Sequence, residues 1–591
     1  MSVKLYQIFQ RSLGLLSPRE RYIVYKAACI QVALSMIDLF ALLLLSITTY
    51  TFFNGFLPKQ FAPLFEFVGL QKIPVNKIQY GLVIATVLLF ITKSIFSQLY
   101  LTRILRFLGN CSLSLCKAYA SRYFEQSISR INSKTTSRLV FIFGSAFDIA
   151  TIEVLGAFVS LIAEVSLLLL LTIFLLSINV SASACILIYF GFIFWLLDRT
   201  LRSPSNQASI ARSKSHLSAA EQITSLKNTY REALVYKKKY FFANRFNHHR
   251  REATSAHRKL IAFAMAPKYF FEAAFYLGVG ILFIALLLTT DKTNAASQFV
   301  FYLACGSRLL PSLIRAQASI GSVRAISGAC DPMFEMVNEM QAEAFAVEKE
   351  SISMQTESEI LTNKTVAPLI QVKNLLFSYG DENPWKLKVE DFTLDIGNRI
   401  GIVGASGSGK STFIDILLGV HTYYLGLVSL NGQTPSLAVN NERNLIGYVP
   451  QKVHLFPGTI LENVSIAEHG EADISLVNHA LFQAGMEEFV SSLPMGLYTQ
   501  IQESGNNFSG GQVQRLGIAR ALYRQPKLLV LDEATSSLDA ANEDLIMQTI
   551  KRLSNDISIL AISHNESILK DFDKIFRFHN GEINILNKRA I

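Results

Sequence analysis

Long apolar runs dominate about the first 330 residues of the chain. A helix crosses a bilayer core of about 30 Å with roughly 20 consecutive apolar residues, and six runs are long enough. Several runs exceed about 25 residues, so we expect helices that project beyond the membrane. The six predicted spans cover residues 22–53, 78–108, 139–177, 181–197, 260–288 and 297–320. The loop at 54–77 is either a short amphipathic helix on the outer membrane surface or a packed loop.

The pattern changes after residue 340. Residues 341–368 are polar and follow neither a helical nor a strand period, so we interpret them as a linker. From residue 369 onward, short β-rich runs alternate with helical patterns. Residues 400–403 and 528–531 are continuous apolar runs, which are typical of buried parallel strands. We therefore predict a polytopic α-helical membrane domain over 1–340 and an α/β domain over 369–591.

Composition and charge agree with a membrane protein. Charged residues make up 17% of the chain, against about 25% in an average soluble protein. The net charge of +10 is compatible with nucleic-acid binding, but the basic residues lie in loops beside the apolar runs, which the positive-inside rule explains better. Lys and Arg are dense in 202–259, which predicts a cytoplasmic segment and places both termini in the cytoplasm. The six cysteines show no metal-binding spacing, and we expect no nucleic-acid partner.

The clearest chemical signal is GASGSGKS at 404–411, which matches G-x-x-x-x-G-K-[ST] in full. It follows a predicted strand at 399–403 and precedes an apolar helical segment at 412–418. Glycines let backbone N–H groups turn inward around phosphate oxygens, and the helix N-terminus favours negative charge. We predict a P-loop ATP site in which Lys410 reaches the β- and γ-phosphates and Ser411 binds Mg2+. The predicted nucleotide-binding residues of this segment are Gly404, Ala405, Ser406, Gly407, Ser408, Gly409, Lys410, Ser411 and Thr412.

A second motif, LLVLDE at 528–533, ends a predicted buried strand in two carboxylates. Asp532 is placed to hold Mg2+, directly or through water. Glu533 is then next to the position of an attacking water and is suited to act as general base. Many buried strands end in Asp-Glu, so this motif alone is a weak signal. It becomes a strong one because it follows the phosphate loop in the same chain.

Five further segments resemble the ABC ATPases in sequence and in order. FSGGQ at 508–512 is similar to the LSGGQ signature of that family. Tyr379 resembles the aromatic residue that stacks on adenine, and Gln451 resembles the Q-loop residue that touches Mg2+. Residues 537–539 resemble the D-loop, and His564 resembles the switch histidine. This resemblance implies an α/β P-loop NTPase domain of the ABC type with Glu533, His564 and Gln451 as catalytic residues.

The resemblance also implies a dimer in which two ATPase domains enclose ATP. The phosphate loop of one subunit would face the signature residues of the other, namely Ser509, Gly510, Gly511 and Gln512. Six predicted spans before one ATPase domain resemble exporter-type half-transporters. We therefore expect a homodimer with two competent ATP sites.

Three cations in the predicted spans are candidates for contacting a substrate: Lys93, Lys268 and Arg308. A charge at the bilayer centre costs roughly 2.5–3.5 kcal/mol on insertion scales and usually marks a cavity or a pair. The same spans contain the acidic residues Asp38, Glu153, Glu164 and Glu272. An anion-binding cavity and simple charge pairing are therefore both open.

Two short segments of the membrane half resemble the lipid-linked oligosaccharide flippases. PKYFFE at 267–272 is similar to their P-R-Y-x-x-E stretch, with Lys268 in place of Arg. RLLPS at 308–312, followed by Arg315, is similar to their R-L-x-P-S stretch. In that family, basic cavity residues contact the pyrophosphate of a polyprenyl-linked saccharide.

These observations predict an ATP-hydrolysing exporter, with ATP and Mg2+ as cofactors, that spans a bacterial inner membrane as a homodimer. Its expected substrate is a large amphipathic anion, specifically a polyprenyl-pyrophosphate-linked oligosaccharide. The alternative is an exporter of another lipid, a drug or a peptide. A soluble ABC protein is excluded by the six apolar runs, and a non-transporting regulator would be expected to lack Glu533 or His564.

Overall fold

The computed structural model describes most of the chain. The described residues are 3–54, 75–126, 131, 134–178, 180–289, 292–354, 368–379, 385–422, 424–467, 471–502, 507–534, 540–553, 556–564 and 566–586. Most of the predicted outer loop at 54–77 lies outside them, as does the D-loop segment 537–539. The chain divides into two compact units, Met1–Ser358 and Glu359–Ile591.

All of the regular secondary structure in the described residues of the first unit is helical. Its α-helices are α1 (Val3–Leu15), α2 (Pro18–Asn54), α3 (Val75–Phe124), α4 (Thr136–Phe141), α5 (Gly156–Ile178), α6 (Val180–Asn228), α7 (Tyr230–Val235), α8 (Lys239–Thr289) and α9 (Lys292–Met354). Two π-helical segments, Ile142–Ala146 and Ile149–Leu155, join α4 to α5. The boundary between α5 and α6 lies where the third and fourth predicted spans meet.

Five stretches of the described helices are long and apolar enough to cross a membrane, by length and composition. They are Pro18–Thr49, Lys77–Phe124, Thr136–Leu176, Ala184–Asn228 and Lys239–Ile284. The sixth predicted span, 297–320, is helical within α9 but is not among these five. At about 1.5 Å per residue, helices of this length exceed a hydrocarbon core of about 30 Å. They therefore extend beyond any bilayer they cross.

Helix α9 continues past the predicted domain boundary at 340 and ends at Met354. The first half of the predicted linker is therefore helical rather than irregular. Residues 341–354 are rich in Ala and Glu, which favour helix even where no apolar stripe repeats. Residues 355–367 lie outside the described part of the chain.

The second unit is built on a nine-stranded sheet. Its strands are β1 (Ile370–Phe377), β2 (Leu387–Leu394), β3 (Arg399–Gly404), β4 (Leu425–Leu430), β5 (Ile446–Val449), β8 (Leu528–Asp532), β9 (Ser558–Ile562), β10 (Lys574–His579) and β11 (Glu582–Leu586). The strand order is β4-β1-β2-β11-β10-β3-β9-β8-β5. Two short strands, β6 (Gly458–Thr459) and β7 (Gln500–Ile501), form a separate antiparallel pair. The five strands from β10 to β5 are mutually parallel.

Helices cover this sheet. They are α10 (Lys410–Leu417), α11 (Pro435–Asn441), α12 (Ile460–Ser465), α13 (Ile474–Gln483), α14 (Glu487–Ser492), α15 (Gly510–Leu522) and α16 (Ala540–Arg552). Two separate apolar clusters pack against the sheet, one including Leu529 and Leu531 and the other Leu528 and Val530. Since alternate residues of β8 serve different clusters, both faces of the sheet are buried. The predicted α/β fold is confirmed, with parallel strands where the continuous apolar runs lie.

Candidate functional site

The predicted ATP-site residues collect at one edge of the sheet. In the order β3, β9, β8, β5, the strands are parallel neighbours, so their carboxyl ends lie side by side. Gly404 ends β3, Asp532 ends β8, His564 follows β9 and Gln451 follows β5. The carboxyl edge of a parallel sheet is where ligands of this fold class bind.

The phosphate loop turns at two glycines with left-handed backbone conformations. Gly407 has φ 78° and Gly409 has φ 111°. A Cβ at Gly409 would lie 3.0 Å from Leu387 and 3.1 Å from Trp385, so a side chain there would be crowded as well as strained. Only glycine adopts such angles without strain. The loop leads directly into α10, whose N-terminus is favourable for an anion.

Lys410 is almost fully buried, with 5% of its side chain exposed. Its Nζ donates to the carbonyl oxygens of Gly404 at 2.8 Å and Ala405 at 2.9 Å. It also lies 3.8 Å from Oε1 of Glu533. Burial lowers the pKa of Lys410, while the charges of Glu533 and Asp532 oppose that shift. The cation is therefore held inside the loop, at the side facing the two carboxylates.

Asp532 and Glu533 differ in environment although they are adjacent. Burial raises the pKa of Asp532, and a hydrogen bond from the hydroxyl of Tyr448 at 3.3 Å opposes the shift. Glu533 has φ 49°, a left-handed conformation that costs energy for a residue with a Cβ. Its backbone N–H donates to the carbonyl of Ile562 at 3.1 Å. Such strain recurs at functional sites, where the surrounding structure fixes a side chain in one direction.

Two side chains contact the Glu533 carboxylate from the neighbouring strand ends. Gln451 donates from Nε2 to Oε2 of Glu533 at 2.7 Å. Nε2 of His564 lies 2.6 Å from Oε1 of Glu533. The three predicted catalytic residues are therefore in direct contact, with Glu533 in the centre.

Aromatic side chains surround Tyr379 at the other end of the site. Its hydroxyl is 2.8 Å from Oγ1 of Thr412. The rings of Trp385 and His421 lie 5.9 Å and 5.5 Å from the ring of Tyr379. Trp385 was missed by sequence reasoning, although it is one of two tryptophans in the chain. Its rarity was the available signal, because nothing in its spacing relates it to the phosphate loop.

A cavity of about 420 Å³ brings most of the predicted site together. It is lined by Tyr379, Trp385, Ser406, Gly407, Gly409, Lys410, Ser411, Thr412, Gln451 and Glu533. Among the described residues no hydrogen-bond partner is found for the buried Oγ of Ser408. An aromatic end, a glycine turn and a buried cation fit a nucleoside triphosphate. The hydroxyl of Ser411 and the carboxylate of Asp532 are oxygen donors of the kind that Mg2+ prefers.

The signature residues lie at the start of α15, where Ser509 and Gly510 are exposed and Gly511 is buried. Ser509 is the N-cap, with its Oγ accepting from the N–H of Gln512 at 3.3 Å. The side chain of Gln512 accepts in return from the N–H of Ser509 at 2.8 Å. Phe508, which replaces the Leu of the family pattern, packs against the buried cluster below. Ser509, Gly510, Gly511 and Gln512 are not among the residues that line the cavity of their own subunit.

The three candidate substrate cations are not in one place. Lys93 and Arg308 both contact Asp38, Lys93 with an Nζ to Oδ2 distance of 2.5 Å. Lys268 is exposed and lies over the ring of Tyr269, 5.7 Å from its centroid. Charge pairing, the alternative considered above, is therefore present at two of the three cations. Arg315 pairs separately with Glu164, with an Nε to Oε1 distance of 2.5 Å.

Comparison with known proteins agrees with this geometry. Residues 387–536 match the ABC transporter family model. A relative named ATP-dependent lipid A-core flippase, from Photobacterium profundum, is 38% identical over 36% of this chain and 37% of its own length. A putative export ATP-binding/permease protein of Rickettsia prowazekii is 34% identical over 42% of this chain and 45% of its own length. The matches thus span less than half the length of these curated relatives.

A solved structure extends the comparison to nearly the whole chain. The structure of a bacterial Atm1-family ABC exporter with ATP bound superposes with a TM-score of 0.70 at 19% identity. The superposition covers 96% of this chain and 94% of that one. The similarity is one of fold, because so low an identity does not transfer a substrate. Residues 387–536 therefore match the ABC transporter family model, and the chain as a whole has the fold of a solved ABC exporter.

Proposed function

We propose that this chain is an ATP-driven exporter that works as a homodimer in a bacterial inner membrane. The observation that supports ATP hydrolysis is the contact of Gln451 and His564 with Glu533, beside a buried Lys410. ATP would lie with its base against Tyr379 and its phosphates in the loop that ends at Lys410. The apolar helices of the first unit are the part that the ATPase drives.

Each side chain has a separate role in the proposed hydrolysis. The oxygen of the attacking water bonds to the γ-phosphorus while Glu533 accepts the proton that the water loses. The bond between the γ-phosphorus and the bridging oxygen of the β-phosphate breaks. His564 and Gln451 hold the carboxylate in place and bracket the water position. Lys410 and the loop N–H groups stabilise the charge on the phosphate oxygens. Mg2+, when bound by Ser411, Asp532 and Gln451, would neutralise charge on the β- and γ-phosphates.

A second subunit is part of this proposal. The N-terminus of α15 is exposed and carries Ser509 and Gly510, which do not line the cavity of their own subunit. Facing the γ-phosphate of another subunit, these donors would stabilise a closed dimer only while the γ-phosphate is present. Hydrolysis would then release the dimer. Both subunits of a homodimer would carry Glu533 and His564, giving two competent sites.

The proposed substrate is a large amphipathic anion, specifically a polyprenyl-pyrophosphate-linked oligosaccharide. The support is the cationic character of the membrane unit at Lys93 and Arg308, which share a single carboxylate. The exposed Lys268 is a further cation in a predicted span. An apolar tail would remain in lipid while the phosphates meet these cations.

A second candidate substrate is a lipid A-core glycolipid. Three similar proteins, from Photobacterium profundum, Vibrio cholerae and Aliivibrio fischeri, bear the name ATP-dependent lipid A-core flippase. The one from Aliivibrio fischeri is 29% identical over 58% of this chain. Both candidates are anionic lipids with large polar headgroups, so they predict similar chemistry in the membrane unit.

ATPase stimulation in proteoliposomes separates these candidates. The purified full chain is reconstituted and its ATPase rate is measured with a lipid-linked oligosaccharide, lipid A, a phospholipid or a cationic drug. We expect the greatest stimulation by the lipid-linked oligosaccharide. Greater stimulation by lipid A would favour the second candidate. Stimulation by the cationic drug alone would overturn the anionic-lipid proposal.

A further inference from the structure

Three helices of the membrane unit meet at one carboxylate. Asp38 in α2 accepts from Lys93 of α3 at 2.5 Å through Oδ2, and from Arg308 of α9 through Oδ1. All three residues lie in predicted membrane spans. The guanidinium of Arg308 also lies over the ring of Phe90, 5.5 Å from its centroid. The two oxygens of Asp38 are thus shared between two cations from different helices.

Exposure is distributed unevenly over this cluster. The side chain of Asp38 is 3% exposed, whereas Lys93 is 18% exposed and Arg308 is 29% exposed. The carboxylate is therefore covered by its partners, and the two cations form the accessible side. An anion that reached the cluster would meet the cations first.

Charge in the cluster is not balanced. Two cations share one carboxylate, so the three side chains together carry a net positive charge. Elsewhere in the membrane unit, Glu164 pairs with Arg315 alone, whereas Asp198 is shared by Arg202 and Arg324. A charge in a lipid-embedded segment is costly unless it is compensated. The Asp38 cluster therefore retains an attraction for one more anionic group.

Arg308 also has an unused donor. Its buried Nε finds no hydrogen-bond partner among the described residues. A buried donor without a partner costs roughly 1–3 kcal/mol, so a ligand that supplies an acceptor is favoured. A pyrophosphate has several acceptor oxygens and matches the planar fork of a guanidinium.

We propose that Asp38 is an internal counter-anion that occupies the substrate's anion site and competes with a phosphate or pyrophosphate group for Lys93 and Arg308. The inference rests on the proposed export of an anionic lipid and adds a specificity residue to it. A monovalent carboxylate is displaced by a group with more charge and more acceptors, whereas a weaker anion leaves the cluster closed. Displacement also releases α2 from its bonds to α3 and α9, which ties substrate arrival to helix movement.

The test replaces Asp38 by Asn, which keeps the side chain's size and removes its charge. Binding of a polyprenyl pyrophosphate to the full chain is measured in nanodiscs without ATP. We expect Asp38→Asn to bind about tenfold more tightly than the wild type, the effect of roughly 1.4 kcal/mol. Asp38→Glu keeps the charge and should bind as the wild type does. Arg308→Gln in the Asp38→Asn background should abolish the gain.

A matched control is Glu164→Gln, which removes a carboxylate from the Glu164–Arg315 pair in the same unit. It should leave the affinity unchanged, and an equal gain in this variant would contradict a specific role of Asp38. Inorganic pyrophosphate, tested in the Lys410→Ala background to exclude the ATP site, shows whether the headgroup alone is bound. A tenfold gain for the lipid and for inorganic pyrophosphate would assign recognition to the phosphates. A gain for the lipid alone would show that the tail contributes.

The result that overturns the inference is unchanged or weaker lipid binding in Asp38→Asn, with elution and basal ATPase rate like the wild type. The proposed function is judged separately by ATPase stimulation of the wild type. Stimulation of the wild type by the pyrophosphate lipid, without any effect of Asp38→Asn on binding, contradicts the counter-anion and leaves export standing. Absence of both binding and stimulation in every variant contradicts both.

Discussion

Glu533 is the residue on which the proposed chemistry depends most. Its carboxylate contacts Gln451 on one oxygen and His564 on the other, and Lys410 is within 3.8 Å. Its backbone has φ 49°, a left-handed conformation that costs energy for a residue with a Cβ. A carboxylate fixed at both oxygens is positioned before substrate arrives, so little reorganisation is needed at the moment of reaction.

Replacing Glu533 by Gln keeps the size of the side chain but removes the base. We expect ATP binding to persist and turnover to fall by about 10²–10⁴-fold, the usual contribution of a general base. Equilibrium ATP binding and steady-state phosphate release measure the two effects. Glu487→Gln, at an exposed position in α14, is the control and should hydrolyse ATP normally. Undiminished hydrolysis in Glu533→Gln would refute the assignment of the base.

Two helices of the ATPase unit begin with the same capping motif in different surroundings. Both α12 and α15 begin with a capping box, formed by Thr459 with Glu462 and by Ser509 with Gln512. Thr459 is buried and fixes α12 against the core, whereas Ser509 is exposed. The same local motif therefore occurs once in a structural setting and once where a partner subunit can reach it.

Ser509→Ala and Thr459→Ala form a matched pair. Each loses an N-cap, which costs about 1 kcal/mol of helix or protein stability, so the thermal midpoint should fall in both, and further in Thr459→Ala because Thr459 is buried. Only Ser509→Ala should also slow ATP hydrolysis, because only Ser509 faces nucleotide across the proposed dimer. Thermal unfolding and ATPase rates of the full chain give the comparison. Equal ATPase rates in the two variants would show that Ser509 only caps its helix and does not contact nucleotide.

The sequence predicted elements where one local pattern was strong. Two patterns have a single structural interpretation, the apolar run at 528–531 and the glycine motif at 404–411. The strand predicted at 528–531 and the strand predicted before the glycine motif both form where expected. Residues 341–368 were interpreted as a linker, because the apolar period stops there, but helix-forming residues carry α9 to Met354. The loss of an apolar stripe therefore shows where a helix stops packing against its neighbours, rather than where the helix itself ends.

Ion pairs between residues that are far apart in the sequence could not be predicted from local patterns. Asp38 lies 55 residues from Lys93 and 270 from Arg308, and no spacing rule relates them. The sequence indicated which charges lie in spans and left open which of them pair. Such contacts depend on the packing of distant segments and require the folded structure.

At the scale of the whole molecule, the chain combines an ATP-binding unit with a unit of long apolar helices. Each unit has its own chemistry, a nucleotide cavity in one and an unbalanced charge cluster in the other. The proposed function requires that events at the first change the second. Export of an anionic lipid requires that ATP hydrolysis be coupled to an anion site within the membrane.

Transport itself tests this coupling most directly. A labelled polyprenyl-pyrophosphate oligosaccharide is placed in proteoliposomes containing the full chain, and its transfer between leaflets is followed with ATP and Mg2+. We predict transfer by the wild type only while ATP is hydrolysed, and none by Glu533→Gln or without ATP. Equal transfer with and without ATP, or transfer by Glu533→Gln at the wild-type rate, would contradict the account.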